Sequence, residues 1–319
     1  MNALAAPASL KGVLSPLAAA AALARGLRRA GAHAVELPVA DGGEGTADVL
    51  HVTLGGEWRT ETVRGPLGAP VEGRWLVLPD GTAVVEAAAA VGLPLLAPDR
   101  LDPLHASSEG VGELLLAAVE GGARTLLVCV GGTATVDGGA GLRAVVGDRL
   151  APVRIRVACD VRNPLLGDRG AARAFGPQKG AGPAEVEELE RRLAADAALA
   201  PFSDLRGAGA GGGLGAGLAA LGAELVDGAE LVLDTVGFDA LARGADLVVS
   251  GEGTADRTTL EGKAPGAVRA RCAQLGVRCE LFGGLVRDGV DAHALSGDPA
   301  RAAADLEELG GRLALALAP

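Results

Sequence analysis

The sequence predicts an α/β fold in two domains, and three observations carry that expectation. Short apolar runs recur as RTLLVCVGG (124–132), VRIRVACD (153–160), ADLVVSGEG (245–253) and VRCELFGG (277–284), and glycine-rich loops follow them. Strands buried on both faces read as continuous apolar runs, and their alternation with helical stretches argues for a parallel sheet. The chain is 319 residues long, beyond the roughly 100–200 residues of one typical domain.

ALAAP (3–7) is read as the first strand. SPLAAAAALARGLRRAG follows as a helix, with Ser15 placed to cap it, Pro16 at its first position and Gly31 to stop it. AVELPVA (34–40) is the next strand and ends at Asp41. Residues 57–88 break the rhythm: three short alternating or β-branched segments are joined by GPLGAP and PDG. They are expected to form an antiparallel hairpin set and to open the second domain. EGVGELLLAAVE (109–120) is a helix preceded by Ser107 and Ser108, and LGAGLAALGAEL (214–225) another. Residues 183–198 form an acidic amphipathic helix whose charges are a solvated face. A last helix is expected over 298–318. The domains are drawn as 1–62 with 240–319, and 63–239.

Composition narrows the function. Hydrophobic residues make up 49% of the chain, but only 2% are aromatic and there is no tyrosine, so Ala, Leu and Val must pack the cores. The net charge of -11 and the pI near 4.9 work against nucleic-acid or acidic-membrane binding. An anionic substrate therefore needs a local cluster of donors. No stretch of about 18 apolar residues suggests a membrane span. Cys129, Cys159, Cys272 and Cys279 form no CxxC pair and, with no secretory leader recognised, point to a reducing cytoplasm. The four histidines fit no metal spacing.

The polar chemistry sits in loops that follow strands, where ligands bind in open α/β sheets. ADGGEGT (40–46) brings Asp41 and Glu44 among glycines that permit close backbone approach. GGTATVDGGAGL (131–142) offers N–H groups and the hydroxyls of Thr133 and Thr135 to phosphate oxygens, with Asp137 for Mg²⁺ or a reacting hydroxyl. CDVRNPLLGDRGAARAFGPQKGA (159–181) places Asp160 and Asn163 after a strand, then Gln178 and the point charge Lys179 in a loop. GEGTADRTTLEGKAP (251–265) carries Glu252, Asp256 and Lys263. Ser9 and Lys11 lie just past the first strand. Ser107 and Ser108 stand at a helix start, a natural cap and anion site. The GxGxxG match at Gly207, Gly209 and Gly212 follows no apolar strand, so it is read as a phosphate-covering loop. No GxxxxGK[ST] occurs, which excludes a P-loop kinase.

In order, Pro7-Ala8-Ser9-Leu10-Lys11-Gly12, ADGGEGT, GGTATVDGGAG, the ACDVRNPLLG to FGPQKGA block, GAGAGGGLGAG and ADLVVSGEGTADRTTLEGKAP resemble the glycerate kinases of the bacterial two-domain type, taken here as type 1. The resemblance implies ATP-dependent, Mg²⁺-assisted phosphorylation of D-glycerate to 2- or 3-phosphoglycerate. It implies one Rossmann- or flavodoxin-like domain with a parallel sheet and flanking helices, a second, smaller mixed α/β domain, and an active site in the cleft between them. The partners it implies are D-glycerate and ATP, with no nucleic acid or membrane, in a cytoplasmic monomer or homodimer.

Within that resemblance Asp41, Asp137, Asp160 and Lys179 are the catalytic candidates, with Asp137 or Asp160 as base. Ser9, Lys11, Ser107, Thr133, Asn163, Gln178 and Lys263 bind substrate or phosphate, and Glu44, Glu252 and Asp256 handle metal. The sequence departs from the family pattern at Ala8 (usually Asp), Val136 (Asn), Thr254 (Arg) and Thr258 (Gln), and is short at 144–152 and 200–207. Those departures motivate a rival, a paralogue that binds a hydroxy acid without phosphorylating it. A nicotinamide-dependent dehydrogenase rests only on the GxGxxG match.

Overall fold

The computed structural model describes residues 1–317. In chain order its first half runs β1 (Asn2–Ala5), α1 (Pro16–Arg29), β2 (His33–Glu36), α2 (Thr46–Leu54), β3 (Glu57–Arg64), β4 (Pro70–Val77), β5 (Thr82–Glu86), α3 (Ala88–Val91), α4 (Glu109–Glu120), β6 (Thr125–Cys129) and α5 (Ala140–Val146). There follow β7 (Arg154–Cys159), α6 (Ala171–Phe175), α7 (Pro183–Ala195), α8 (Ala210–Ala219), β8 (Glu224–Asp227), α9 (Gly228–Thr235) and α10 (Phe238–Arg243). The chain closes with β9 (Leu247–Ala255), α11 (Ala264–Leu275), β10 (Cys279–Val286), β11 (His293–Ala294) and α12 (Ala302–Ala316). The fold is α/β with two sheets.

The chain divides into two compact units, one of Met1–Asp41, Asp48–Thr53 and Ala229–Pro319, the other of Gly42–Ala47 and Leu54–Gly228. The first holds a five-stranded sheet in the order β11-β10-β9-β1-β2, every pairing parallel. From β1 the chain winds outward to β2 on one side, and from β9 to β10 and β11 on the other. The order therefore reverses between β1 and β9, and a crevice opens at the carboxyl ends of two such strands. Ser15 caps α1 by accepting the Ala18 N–H at 3.2 Å, with Pro16 at the first helical position as expected. Leu23 and Leu27 of α1 pack with Leu306, Leu309 and Leu313 of α12 over the apolar face of the sheet.

The second unit holds a six-stranded sheet in the order β3-β4-β5-β6-β7-β8. The first three strands form the antiparallel set expected over 57–88, and β5 then pairs parallel with β6. The hairpin set is thus one edge of a larger mixed sheet. This mixed unit is the larger of the two, not the smaller, because β6, β7, β8 and their covering helices complete the same sheet. Leu114, Leu115, Leu126, Leu142 and Val157 are its core. Burying each leucine contributes about 1.5–3 kcal/mol, which is how a chain so poor in aromatics holds together.

Local differences have simple causes. β2 ends at Glu36 because Pro38 cannot donate to a ladder. The helix expected over 214–225 ends at Ala219, and Glu224–Asp227 is instead the edge strand β8, where Gly222 at φ 86 turns the chain. The last helix starts at Ala302 after a short turn at Pro299–Arg301. Residue 318, inside its expected range, lies outside the described residues.

Candidate active site

In the first unit the sequence candidates gather at the carboxyl ends of β1, β2 and β9. The Ala8 N–H donates to Gly251 O at 2.9 Å, which carries the β1 segment on alongside β9 and leads into Ser9 and Lys11. Glu252 is the centre of a network. Its Oε1 accepts from Thr259 Oγ1 at 2.7 Å and its Oε2 from Lys263 Nζ at 3.2 Å. Thr259 Oγ1 in turn accepts the Asp256 N–H at 3.0 Å. Burial raises the Glu252 carboxyl above its ordinary range, opposed by the Thr259 hydrogen bond and by Lys263, while the charge of Asp41 adds to the rise. Asp256 is spent on a cap: one oxygen accepts the Thr258 N–H and hydroxyl at 2.8 and 2.5 Å. The Thr258 hydroxyl bond is the main reason its carboxyl sits below the usual range.

In the second unit the candidates gather beyond β6 and β7. Lys179, only 3% exposed, donates to Thr133 Oγ1 at 3.1 Å and to Thr135 O at 2.7 Å. The expectation of a loop lysine thus becomes a buried cation pinning the glycine-rich loop after β6. Desolvation lowers its pKa to about 7, against the opposing pull of Asp160 and Asp137. Thr135 Oγ1 is buried without a hydrogen-bond partner. Asp160 stands half-buried at the end of β7. A Cβ on Gly131 would lie 2.9 Å from its Oδ2 and 2.8 Å from Gly43 Cα, so only glycine lets these three groups approach.

Asp137 has a different part. Its Oδ2 accepts from Ser108 N, Ser108 Oγ and Gly141 N at 2.9, 2.7 and 3.2 Å, and its Oδ1 from Gly139 N at 3.0 Å. The carboxylate fills the N-termini of α4 and α5 together. The anion site expected at Ser107 and Ser108 is therefore occupied by the protein's own Asp137, and Ser107 Oγ accepts the Glu109 N–H at 3.2 Å. Asn163 Nδ2 donates to Arg169 O at 2.7 Å and staples its loop. Gln178 is exposed in the turn that buries Lys179, and Glu44 is exposed near Gly132.

Two residues of these networks escape sequence reasoning. Thr259 is signalled only by the Asp256-x-x-Thr259 spacing of a reciprocal cap. Glu86, whose Oε1 accepts the Ala47 N–H at 2.8 Å, ends an apolar strand with no local pattern to mark it. Of the family departures, Val136 is explained: it is 1% exposed and packs with Leu165, Leu189 and Leu193, facing the core.

Among the described residues no three His, Cys, Asp or Glu side chains come together as a metal cage. Glu252 and Asp256 are engaged as above, in the first unit, and Glu44 lies in the second. Mg²⁺ asks for only one or two protein carboxylates when phosphates supply its other oxygens. The donor set fits an ion carried on nucleotide phosphates rather than a resident one.

The model of the glycerate kinase family matches residues 3–151 and 143–303. The chain belongs to the glycerate kinase family. It is 40% identical over 305 residues to a glycerate kinase of Bacillus subtilis (strain 168), covering 83% of this chain and 80% of that one. It is likewise 40% identical over 300 residues to the glycerate 2-kinase of Escherichia coli (strain K12), covering 82% and 79%. The crystal structure of a putative glycerate kinase 2 from Salmonella typhimurium LT2 superposes with a TM-score of 0.86 at 34% identity, over 99% of this chain and 98% of that one. The Escherichia coli and Salmonella relatives correct the subtype expected from the sequence: the chain groups with the glycerate 2-kinase (type II) proteins, not type 1. Among its described residues no helix is long and apolar enough to cross a membrane.

Proposed function

We propose that this protein is an ATP-dependent kinase that phosphorylates D-glycerate at its 2-hydroxyl, giving 2-phosphoglycerate. Family membership is the observation that carries this reading, and the regiochemistry follows the glycerate 2-kinase relatives. Phosphoryl transfer is mostly positioning and charge neutralisation, and the second unit offers both.

Asp160, half-buried at the end of β7, is read as the general base, and its charge acts on the buried Lys179. Asp137 instead fixes the loop that carries Thr133 and Thr135. Lys179 holds that loop and supplies positive charge, and a bound anion restores the proton affinity that burial takes away. Backbone N–H groups of the glycine-rich loop meet phosphate oxygens. Glu44 would approach a Mg²⁺ carried on the nucleotide, which would supply neutralisation of the phosphate charge.

The first unit is read as flavodoxin-like. Numbered within the unit, its sheet order is 2-1-3-4-5, with Ser9 and Lys11 following β1 and Lys263 following β9, the strands that flank the reversal point, and Asp41 following the neighbouring β2. We read the protein as cytoplasmic and as a monomer or homodimer. Incubation with ATP and D-glycerate, with the product read by NMR, tests the function. A clean absence of product across several hydroxy acids would favour the binding-only paralogue that Ala8 and Thr254 suggest.

A further inference from the structure

We propose that Glu86 is a positioning residue that sets the Gly42–Ala47 segment, and with it Glu44, over the glycine-rich loop after β6. The inference rests on the kinase reading for its catalytic consequence, but not for its geometry.

Within the segment, Thr46 Oγ1 and Thr46 N both donate to Gly43 O, at 2.7 and 3.3 Å. Its glycines press closely against their surroundings. Gly42 has φ 87, and a Cβ there would lie 2.6 Å from Ala158 O. Gly43 Cα lies where a Gly131 side chain would be. Glu44 Oε2 comes within 3.8 Å of where a Gly132 Cβ would stand.

Contact alone does not fix such a loop, because glycines are conformationally permissive. A long-range polar bond joins the Ala47 N–H to Glu86 Oε1 at 2.8 Å, across 39 residues of sequence. Glu86 is well suited to the task. It ends β5, which lies between β4 and β6, and it is in register with Cys129. The next residue continues the ladder, Ala87 N donating to Cys129 O at 2.8 Å. Its Cα is therefore as fixed as any in the sheet. The acceptor is a carboxylate, so the bond to the first-turn N–H is charge-assisted and favoured by the helix dipole. Gly45, just before the helix, has no side chain to do this locally. Glu86 thus carries the rigidity of the sheet to the loop bearing Glu44.

Amide hydrogen exchange on the full-length protein, with and without Mg-ATP, tests this through Glu86→Ala and Glu86→Gln. In Glu86→Ala the amides of residues 43–50 are expected to exchange about tenfold faster or more, the scale of losing one charged hydrogen bond, while those of β6 and β7 do not change. Glu86→Gln keeps a neutral acceptor and is expected to fall between. With activity measured, Glu86→Ala raises the Mg²⁺ concentration for half-maximal rate and lowers kcat more than it raises the KM for D-glycerate. Unchanged exchange at 43–50 overturns the proposal. So does protection lost evenly over the whole chain, or a fall in kcat with the Mg²⁺ dependence unmoved. If the wild-type protein makes no phosphoglycerate, the kinase reading fails, and the exchange result still decides the role of Glu86.

Discussion

Replacing Lys179 with methionine should remove a pH dependence from the stability of the second unit. In the folded protein desolvation lowers this lysine to about 7 from 10.5. Between those values the unfolded chain holds a proton that the folded chain has released, so stability rises with pH across that interval. At and below pH 7 burial of the charged lysine costs about 5 kcal/mol in full, at about 1.4 kcal/mol per pH unit. The useful window runs from pH 7 to 9, over which about 2.5 kcal/mol should return. Above it, Cys159 interferes: burial pushes its thiol up to about 12 from 9.0, so the folded state then holds the extra proton and offsets the rise from the lysine up to pH 10.5.

Both tryptophans of the chain, Trp58 and Trp75, lie in β3 and β4 of this unit. Tryptophan fluorescence in a urea titration therefore reports the unfolding of the unit that contains Lys179. The wild type should gain stability from pH 7 to 9, and Lys179→Met should be flat. The slope is the decisive quantity, since methionine also abandons Thr135 O, a buried acceptor whose loss of a partner costs about 1–3 kcal/mol. Equal slopes in the two proteins would refute the assignment of that pH dependence to a buried lysine.

Three further outcomes are expected. Asp160→Asn should lower turnover by about 10²-fold or more with ATP binding retained in calorimetry; unchanged turnover would remove Asp160 from the role of base. Ser108→Ala deletes a hydroxyl that donates to Asp137 at 2.7 Å and accepts the Leu142 N–H at 2.9 Å, and should destabilise the second unit by about 1–3 kcal/mol in the same urea assay. Gly131→Ala forces a methyl against Gly43 Cα and Asp160 Oδ2, and should cut kcat/KM by about 10²-fold, as an ångström-scale misplacement does, without preventing folding as judged by circular dichroism.

The strands β6, β7, β9 and β10 were legible because each holds a short, mostly apolar stretch followed by glycine or a polar residue. The antiparallel set was legible from PDG and the alternation around it. β8 was not, since AELVD follows a small-residue helix and only Gly222 marks the break. The site was legible as residue types at strand ends, because glycine clusters with carboxylates and lysines are rare elsewhere. What each side chain does there depends on partners distant in sequence. Nothing near Asp137 in sequence reveals that Ser108, 29 residues away, donates to it. Lys179 reads as a loop point charge, because nothing in GPQKG reveals its burial against Thr133 and Thr135. Glu86 carried no signal, as its partner Ala47 contributes only a backbone N–H.

The most direct test is the product formed from ATP and D-glycerate by the purified protein with Mg²⁺, identified by phosphorus and proton NMR. A phosphorus resonance coupled to the C2 proton, that of 2-phosphoglycerate, is the predicted result. Coupling to the C3 protons would contradict the proposed regiochemistry, and no phosphoglycerate at all would contradict the kinase reading itself.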